Sequence, residues 1–387
     1  MWNVIFLGMV SFFADISAEM VYPLIPLYLT AAFGATPALV GLIEGIAESL
    51  ASLLKVFSGY VTDKYQRKKT IAFIGYSTGV IYKAALILAG SWIGILGARV
   101  IDRIGKGIRT APRDVMVSES AEQGQTGKAF GIHKALDMAG SAIGILMAYF
   151  MLKGADNILD YKRIFLISAI PVLLALAMFL LIQETKGERC PQTREPFWRD
   201  IKCLDGQLKL YLLAVFLFTL GNSSNAFLLL RAKSIGFDDA AVILLYFVYN
   251  ATASLLAIPA GKRSDKVGRK RLLVWGYLVF AAVYLGFACV AKKLFMIALF
   301  ALYGVYTAMI AGVERAFIAE ISPKMLKGTM LGLHSTLVGI ALLPASALAG
   351  MLWTEFGASA PFLFGSGMSL LAAGLLFFLM KGGRSAC

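Results

Sequence analysis

The chain has 387 residues, of which 59% are hydrophobic and 16% charged, with 37 Lys and Arg against 23 Asp and Glu and a mean hydropathy of +0.75. A soluble protein of this length carries about a quarter charged residues, so the composition excludes an ordinary cytosolic enzyme. The net charge of +14 would suit a nucleic-acid binder, but the basic residues are clustered between apolar runs rather than gathered on one segment, which excludes that role as well.

A spanning helix needs about 20 mainly apolar residues. Twelve runs meet this, at roughly 3–30, 37–61, 69–90, 92–118, 128–152, 163–183, 208–231, 239–261, 271–291, 294–318, 328–352 and 358–380. They leave no room for a soluble catalytic domain. The first run continues past Pro23 and Pro26 without a small-residue cleavage site, so no removable signal segment is expected. Lys64, Arg67, Lys68 and Lys69 follow run two, six basic residues from Lys186 to Lys209 follow run six, and six from Lys262 to Arg271 follow run eight. Loops on the other side are thinner in charge. This positive-inside asymmetry predicts a multi-pass plasma-membrane protein with both termini in the cytoplasm. The four cysteines, Cys190, Cys203, Cys289 and Cys387, have neither disulfide nor metal spacing.

The polar stretch from Glu184 to Lys209 separates six runs from six, predicting a bundle over 1–183, a linker over 184–207 and a second bundle over 208–387. The halves repeat each other. Gly59-Tyr-Val-Thr-Asp63-Lys64-Tyr-Gln-Arg67-Lys68 recurs 202 residues on as Gly261-Lys-Arg-Ser-Asp265-Lys266-Val-Gly268-Arg269-Lys270. At an offset of 201, Glu119 maps to Glu320, Gly127 to Gly328 and His133 to His334. The site of a duplicated membrane bundle lies between its repeats.

Twelve spans, a central linker and the twice-used charged turn resemble the major facilitator superfamily over the whole chain. Arg103-Ile-Gly-Lys-Gly107 is similar to a second motif of that family. Gly140-Ser-Ala-Ile-Gly144 has the glycines of its antiporter signature but lacks the proline, and Gln66 stands where the loop motif has glycine. The resemblance implies an all-α fold of two pseudo-symmetric six-helix bundles and an alternating-access cycle. It also implies gating roles. Asp63 would cap span eleven near Gly328 and Asp265 span five near Gly127, while Arg67 and Arg269 would pair with Glu119 and Glu320 when the cytoplasmic side is closed. Spans three, six, nine and twelve would face lipid, with Lys83 the one charge among their central portions.

Ionisable groups within spans are costly and point to function. At about 1.5 Å per residue, Asp15, Glu48, Arg103 and Asp137 share one level, with Glu19 a turn outward and His133 a turn inward. Three acids around one arginine cannot all ionise comfortably in a low-dielectric cavity, so a proton is expected on Asp15 or Asp137, with Arg103 tuning it. A static ion-pair network is the plainer alternative. In the second half, Gly221-Asn222-Ser-Ser-Asn225 is a patch of weak helix formers expected to unwind and offer backbone groups to a solute. Tyr249, Tyr303, Tyr306 and His334 add aromatic and polar surface, and this half is expected to be otherwise uncharged.

The sequence thus supports a monomeric, proton-coupled secondary transporter of a small polar or amphipathic solute, needing no cofactor and no resident metal. Export is placed first because efflux of organic compounds is common in the family it resembles. Two other transport roles stay open. Asp15, Glu19, Glu44, Glu48 and His133 offer donors to a divalent metal cargo, and Arg99, Arg103 and Arg109 would attract an anion such as a carboxylate or siderophore. A non-transporting membrane enzyme or receptor is the remaining alternative, but no nucleophile–base spacing, nucleotide loop or zinc motif is present.

Overall fold

The computed structural model describes residues 2–65, 67–120, 126–153, 158–183, 206–290, 292–310, 312–321 and 327–379. Among these, every regular element is helical: α1 (Trp2–Glu19), α2 (Leu24–Phe33), α3 (Pro37–Tyr65), α4 (Lys68–Leu88), α5 (Trp92–Glu119), α6 (Thr126–Leu152), α7 (Ile158–Ile167), α8 (Ala169–Leu180), α9 (Gly206–Gly221), α10 (Ala226–Ser234), α11 (Asp239–Val267), α12 (Arg269–Cys289), α13 (Lys293–Ile310), α14 (Val313–Ile321), α15 (Lys327–Phe356) and α16 (Ala360–Gly374). Four of the twelve spans are broken in two, as α1–α2, α7–α8, α9–α10 and α13–α14. The first break falls at 20–23, where Pro23 lacks an N–H and disfavours helix in Tyr22 before it. The third falls at 222–225, the patch of weak helix formers.

Eleven spans are long and apolar enough to cross a bilayer by composition alone. The twelfth, α5, is not, because it carries Arg99, Asp102, Arg103, Lys106, Arg109, Arg113 and Asp114. It is nevertheless a continuous helix packed closely on α4. Glycines make that contact possible. A Cβ on Gly75 would lie 2.9 Å from the Gly105 carbonyl oxygen, and one on Gly105 would meet Thr78. The lipid-facing side of α4 is a stripe of Ile74, Ile81 and Leu88, seven residues apart, and the opposite side buries Tyr76, Gly79 and Lys83.

Packing divides the chain into two compact units that do not follow its halves. The first comprises Met1–Thr36, Ile46–Arg189 and Phe237–Phe247, and the second Pro37–Gly45, Cys190–Gly236 and Val248–Cys387. Each unit thus takes a short piece from the other half of the sequence. In the second unit the start of α3 lies against α15 with no room for side chains, since a Cβ on Gly41 would be 2.3 Å from the Ser346 carbonyl oxygen and one on Gly350 2.7 Å from Pro37 O. In the first unit the start of α11 is tied down by a short hydrogen bond from Tyr161 to Asp239. The linker expected over 184–207 lies almost wholly outside the described residues, and α9 opens at Gly206.

Candidate functional site

The first unit gathers the ionisable groups. Its foundation is the contact of α6 with α1, where a Cβ on Gly140 would meet the Phe12 carbonyl oxygen at 2.3 Å and one on Gly144 the Ile16 oxygen at 2.5 Å. These glycines let the two backbones touch, and Asp137, one turn before Gly140, is thereby set against Asp15. The two carboxyls lie within hydrogen-bonding reach of each other. Ionised carboxylates only accept, so a hydrogen bond between them forms only when one proton is shared by the pair. Lys134 donates to Asp137 Oδ2 at 2.6 Å. One turn below, His133 Nε2 is 2.8 Å from Ser11 Oγ, which is 3.3 Å from the Tyr76 hydroxyl. The Arg109 guanidinium lies 4.7 Å from the centre of the Tyr76 ring.

Arg103 does not serve all three acids as expected. It pairs with Glu48 at 2.9 Å and with its neighbour Asp102 at 3.6 Å, and it lies 5.6 Å from the Tyr22 ring centre. Arg99 reaches the same Asp102 oxygen, Oδ2, at 3.5 Å and also faces Tyr22, at 5.3 Å. The level is therefore two pairs, Asp15 with Asp137 and Glu48 with Arg103, rather than one arginine ringed by acids. The cation in reach of Asp15, Glu19 and Glu48 together is Lys106, an exposed side chain. Glu19 is the last residue of α1, beside the break. It is hydrogen-bonded to Tyr246, and its Oε2 is buried with no hydrogen-bond partner.

Three features went unread in the sequence. Asp102 stands next to Arg103 and was passed over, although its i,i+3 spacing from Arg99 is a pairing signal. Lys83 does not belong to a lipid-facing surface: its side chain is buried and donates to the Ser17 carbonyl oxygen at 2.8 Å. Its place seven residues after buried Tyr76 was the available clue. The second half is also not uncharged inside its spans, because Glu314 on α14 receives a hydrogen bond from Tyr277 at 3.0 Å.

In the second unit the break after Gly221 is held open by its own amides. Asn222 Nδ2 donates to the Tyr306 hydroxyl at 3.0 Å, and the Tyr303 hydroxyl donates to Asn225 Oδ1 at 3.0 Å. Ser224 N–H is taken by Ser346 Oγ at 3.3 Å. Tyr249 joins through its ring, 5.0 Å from that of Tyr303. The result is an aromatic wall carrying two amides.

The gating set is only partly in view. The side chains of Asp63, Asp265 and Glu320 lie outside the described residues, as do those of Gly127 and Gly328 as cap sites. Glu119 is held by Lys68, the residue after Arg67, in a short ion pair. Lys68 is buried against the end of α5 while Arg67, at the N-cap of α4, is exposed. Gly268 adopts φ 96°, a conformation that favours glycine and explains its place in the second turn.

A twelve-span helical bundle with glycine-sealed helix pairs, one helix carrying seven charges within its span, and a broken span facing tyrosines defines a membrane transporter. The model of the Major Facilitator Superfamily matches residues 7–224 and again 210–386. The chain belongs to that superfamily. It is 37% identical over 384 residues to an uncharacterised MFS-type transporter of Methanocaldococcus jannaschii, covering 97% of this chain and 94% of the relative. It is 25% identical over 276 residues to the fosmidomycin resistance protein of Escherichia coli K12, covering 70% of this chain and 66% of that protein. Among solved structures, the nucleoside transporter NupG superposes with a TM-score of 0.79 at 12% identity over 99% of this chain and all of its own. A D-xylose–proton symporter superposes with a TM-score of 0.75 at 18% identity, covering 98% of this chain and 97% of its own.

Proposed function

We propose that the chain is a proton-coupled secondary transporter of a small polar or amphipathic solute, working by alternating access in the plasma membrane as a monomer with both termini in the cytoplasm. The observation that carries this reading is the carboxyl pair of Asp15 and Asp137. Two acids that share one proton within a membrane span cannot both ionise at low cost, so losing that proton must be coupled to a change around them. With Lys134 donating to Asp137, Asp15 is the member of the pair to which we assign the proton. Within the first unit, Glu19, with one buried oxygen unpartnered, and Lys106 are the charged groups assigned to solute or proton binding; within the second, Asn222, Asn225 and Tyr249 are the neutral ones.

Export is the direction put first, supported by the likeness to a resistance protein. The two alternatives draw less support. Arg99 and Arg103 are engaged by Asp102 and Glu48, which weakens them as an anion trap. Among the described residues no three His, Cys, Asp or Glu side chains gather around one point, which weakens a metal cargo. Asp63 and Asp265, with Arg67, Arg269, Glu119 and Glu320, are assigned to gating by the family motif, with Lys68 sharing Glu119.

The test uses purified protein in liposomes holding a pH-sensitive dye, challenged in turn with organic cations, organic anions and divalent metals. Proton movement triggered by one class, and abolished in Asp15→Asn and in Asp137→Asn, is the expected result. Solute movement with no proton flux, or flux unchanged in both variants, overturns proton coupling through this pair.

A further inference from the structure

We propose that Glu314 and His334 form a proton-binding site of the second unit, separate from the Asp15–Asp137 pair. Glu314 is oriented from two sides. Tyr277 on α12 donates to Glu314 Oε1 at 3.0 Å, and Tyr211 on α9 donates to the Glu314 backbone oxygen at 3.2 Å. With Oε1 occupied, Oε2 is the oxygen turned to α15, where His334 Nε2 stands 3.9 Å away. Both side chains are mostly buried, at 17% and 9% exposure. The Tyr211 ring lies nearly parallel to the imidazole, at 11°, which fixes the imidazole's plane. Tyr306 on α13 also lies in electrostatic reach of Glu314.

The 3.9 Å gap is informative. It is too long for a hydrogen bond and shorter than any distance that would let a water intervene comfortably. A neutral imidazole has little reason to close it. Once Nε2 carries a proton, the imidazolium and the carboxylate attract, and a shift of about 1 Å makes a charge-assisted bond. Uptake of one proton, with no bond broken and none formed beyond N–H, would therefore draw α15 towards α14. The contact has two states, and proton binding selects between them.

The repeat shows that this is a departure rather than an inheritance. Subtracting 201 places Tyr277 on Tyr76, His334 on His133 and Glu314 on Arg113. The tyrosine and histidine are retained and the third member is inverted in charge. In the first unit the imidazole is satisfied by Ser11, and Arg113 turns to Asp114 at 2.8 Å. At this repeat position the second copy carries an acid, Glu314, and the first an arginine, Arg113, while the acids in reach of His133 are Asp137 and Asp114.

The chain has two histidines, so ring-labelled histidine gives two NMR spin systems, assigned with His133→Asn. Full-length protein in nanodiscs is titrated between about pH 5 and 9. His334 is expected to show a protonation step, and Glu314→Gln to cut its proton affinity by about tenfold or more, with the His133 signal unmoved. Tyr277→Phe keeps the carboxylate but releases Oε1, and its His334 titration is expected to shift as well. It serves as the deciding variant if Glu314→Gln does not fold. A wild-type His334 with no protonation step, or one whose titration is unmoved in the deciding variant, overturns the proposal. The readout needs no transport, so it stands apart from the fate of Asp15 and Asp137.

Discussion

Arg103 is held by two carboxylates and an aromatic face, and each contact exploits a property lysine lacks. Its planar fork meets Glu48 through Nη2 and Asp102 through Nε while the guanidinium lies near the Tyr22 ring. A double-mutant cycle of Glu48→Gln and Arg103→Gln, read by thermal unfolding, is expected to give a coupling of about 1–3 kcal/mol. A coupling near zero would make the pair an incidental contact of two cavity-lining groups. The level shared by Glu48 and Arg103 was legible by counting rise along opposed helices. What was not legible was rotation about the helix axis. Depth places Asp15 and Asp137 together, but only the glycine-sealed contact of α1 and α6 turns their carboxyls to each other. Depth likewise locates Lys83 without saying that its ammonium turns in to Ser17, away from the Ile74, Ile81 and Leu88 stripe.

At the scale of elements, the α1–α6 pair governs the site. Gly140→Ala adds a methyl where the Phe12 carbonyl oxygen would be 2.3 Å away, so the helices must separate or slide. The expected cost is about 1–3 kcal/mol, measured by thermal unfolding, together with loss of the Asp15–Asp137 contact and of proton flux. Full stability and flux in that variant would show that the seam is looser than described. These glycines lie in the segment that resembles the antiporter signature, and here they act as a packing surface. The break at Asn222 was readable because asparagine and serine form helices poorly and follow a glycine. The break at 20–23 was not read as one, because two prolines within a long apolar run are also compatible with a merely kinked span. The break between α13 and α14 has a single glycine, Gly312, to announce it, and that break is what sets Glu314 in the first turn of a new helix.

For the whole molecule the duplication is the governing fact, and it was fully legible from the loop motif, the offset of 201 and the paired histidines. Packing units that borrow Pro37–Gly45 and Phe237–Phe247 were not legible, since nothing in a helix's own sequence says which neighbour its first turns will meet. Asp63→Asn is expected to slow transport several-fold while leaving equilibrium solute binding unchanged, because a gating acid acts on the exchange between states and not on the solute. Parallel binding and flux measurements on that variant check this. Loss of equilibrium binding would remove Asp63 from the gate.

The charge load of α5 has a consequence for how the protein is made. Arg99, Asp102 and Arg103 alone would each cost about 2.5–3.5 kcal/mol at the centre of an isolated span, more than the apolar residues around them can offset. Such a segment cannot partition from the translocon into lipid by itself. It is expected to enter with a companion already waiting, and α4, whose Gly75 lies against Gly105 and Arg109, is the segment synthesised just before. The polypeptide's order of synthesis is thus part of its chemistry: the helix that carries the charges is inserted as the second arm of a hairpin, never alone.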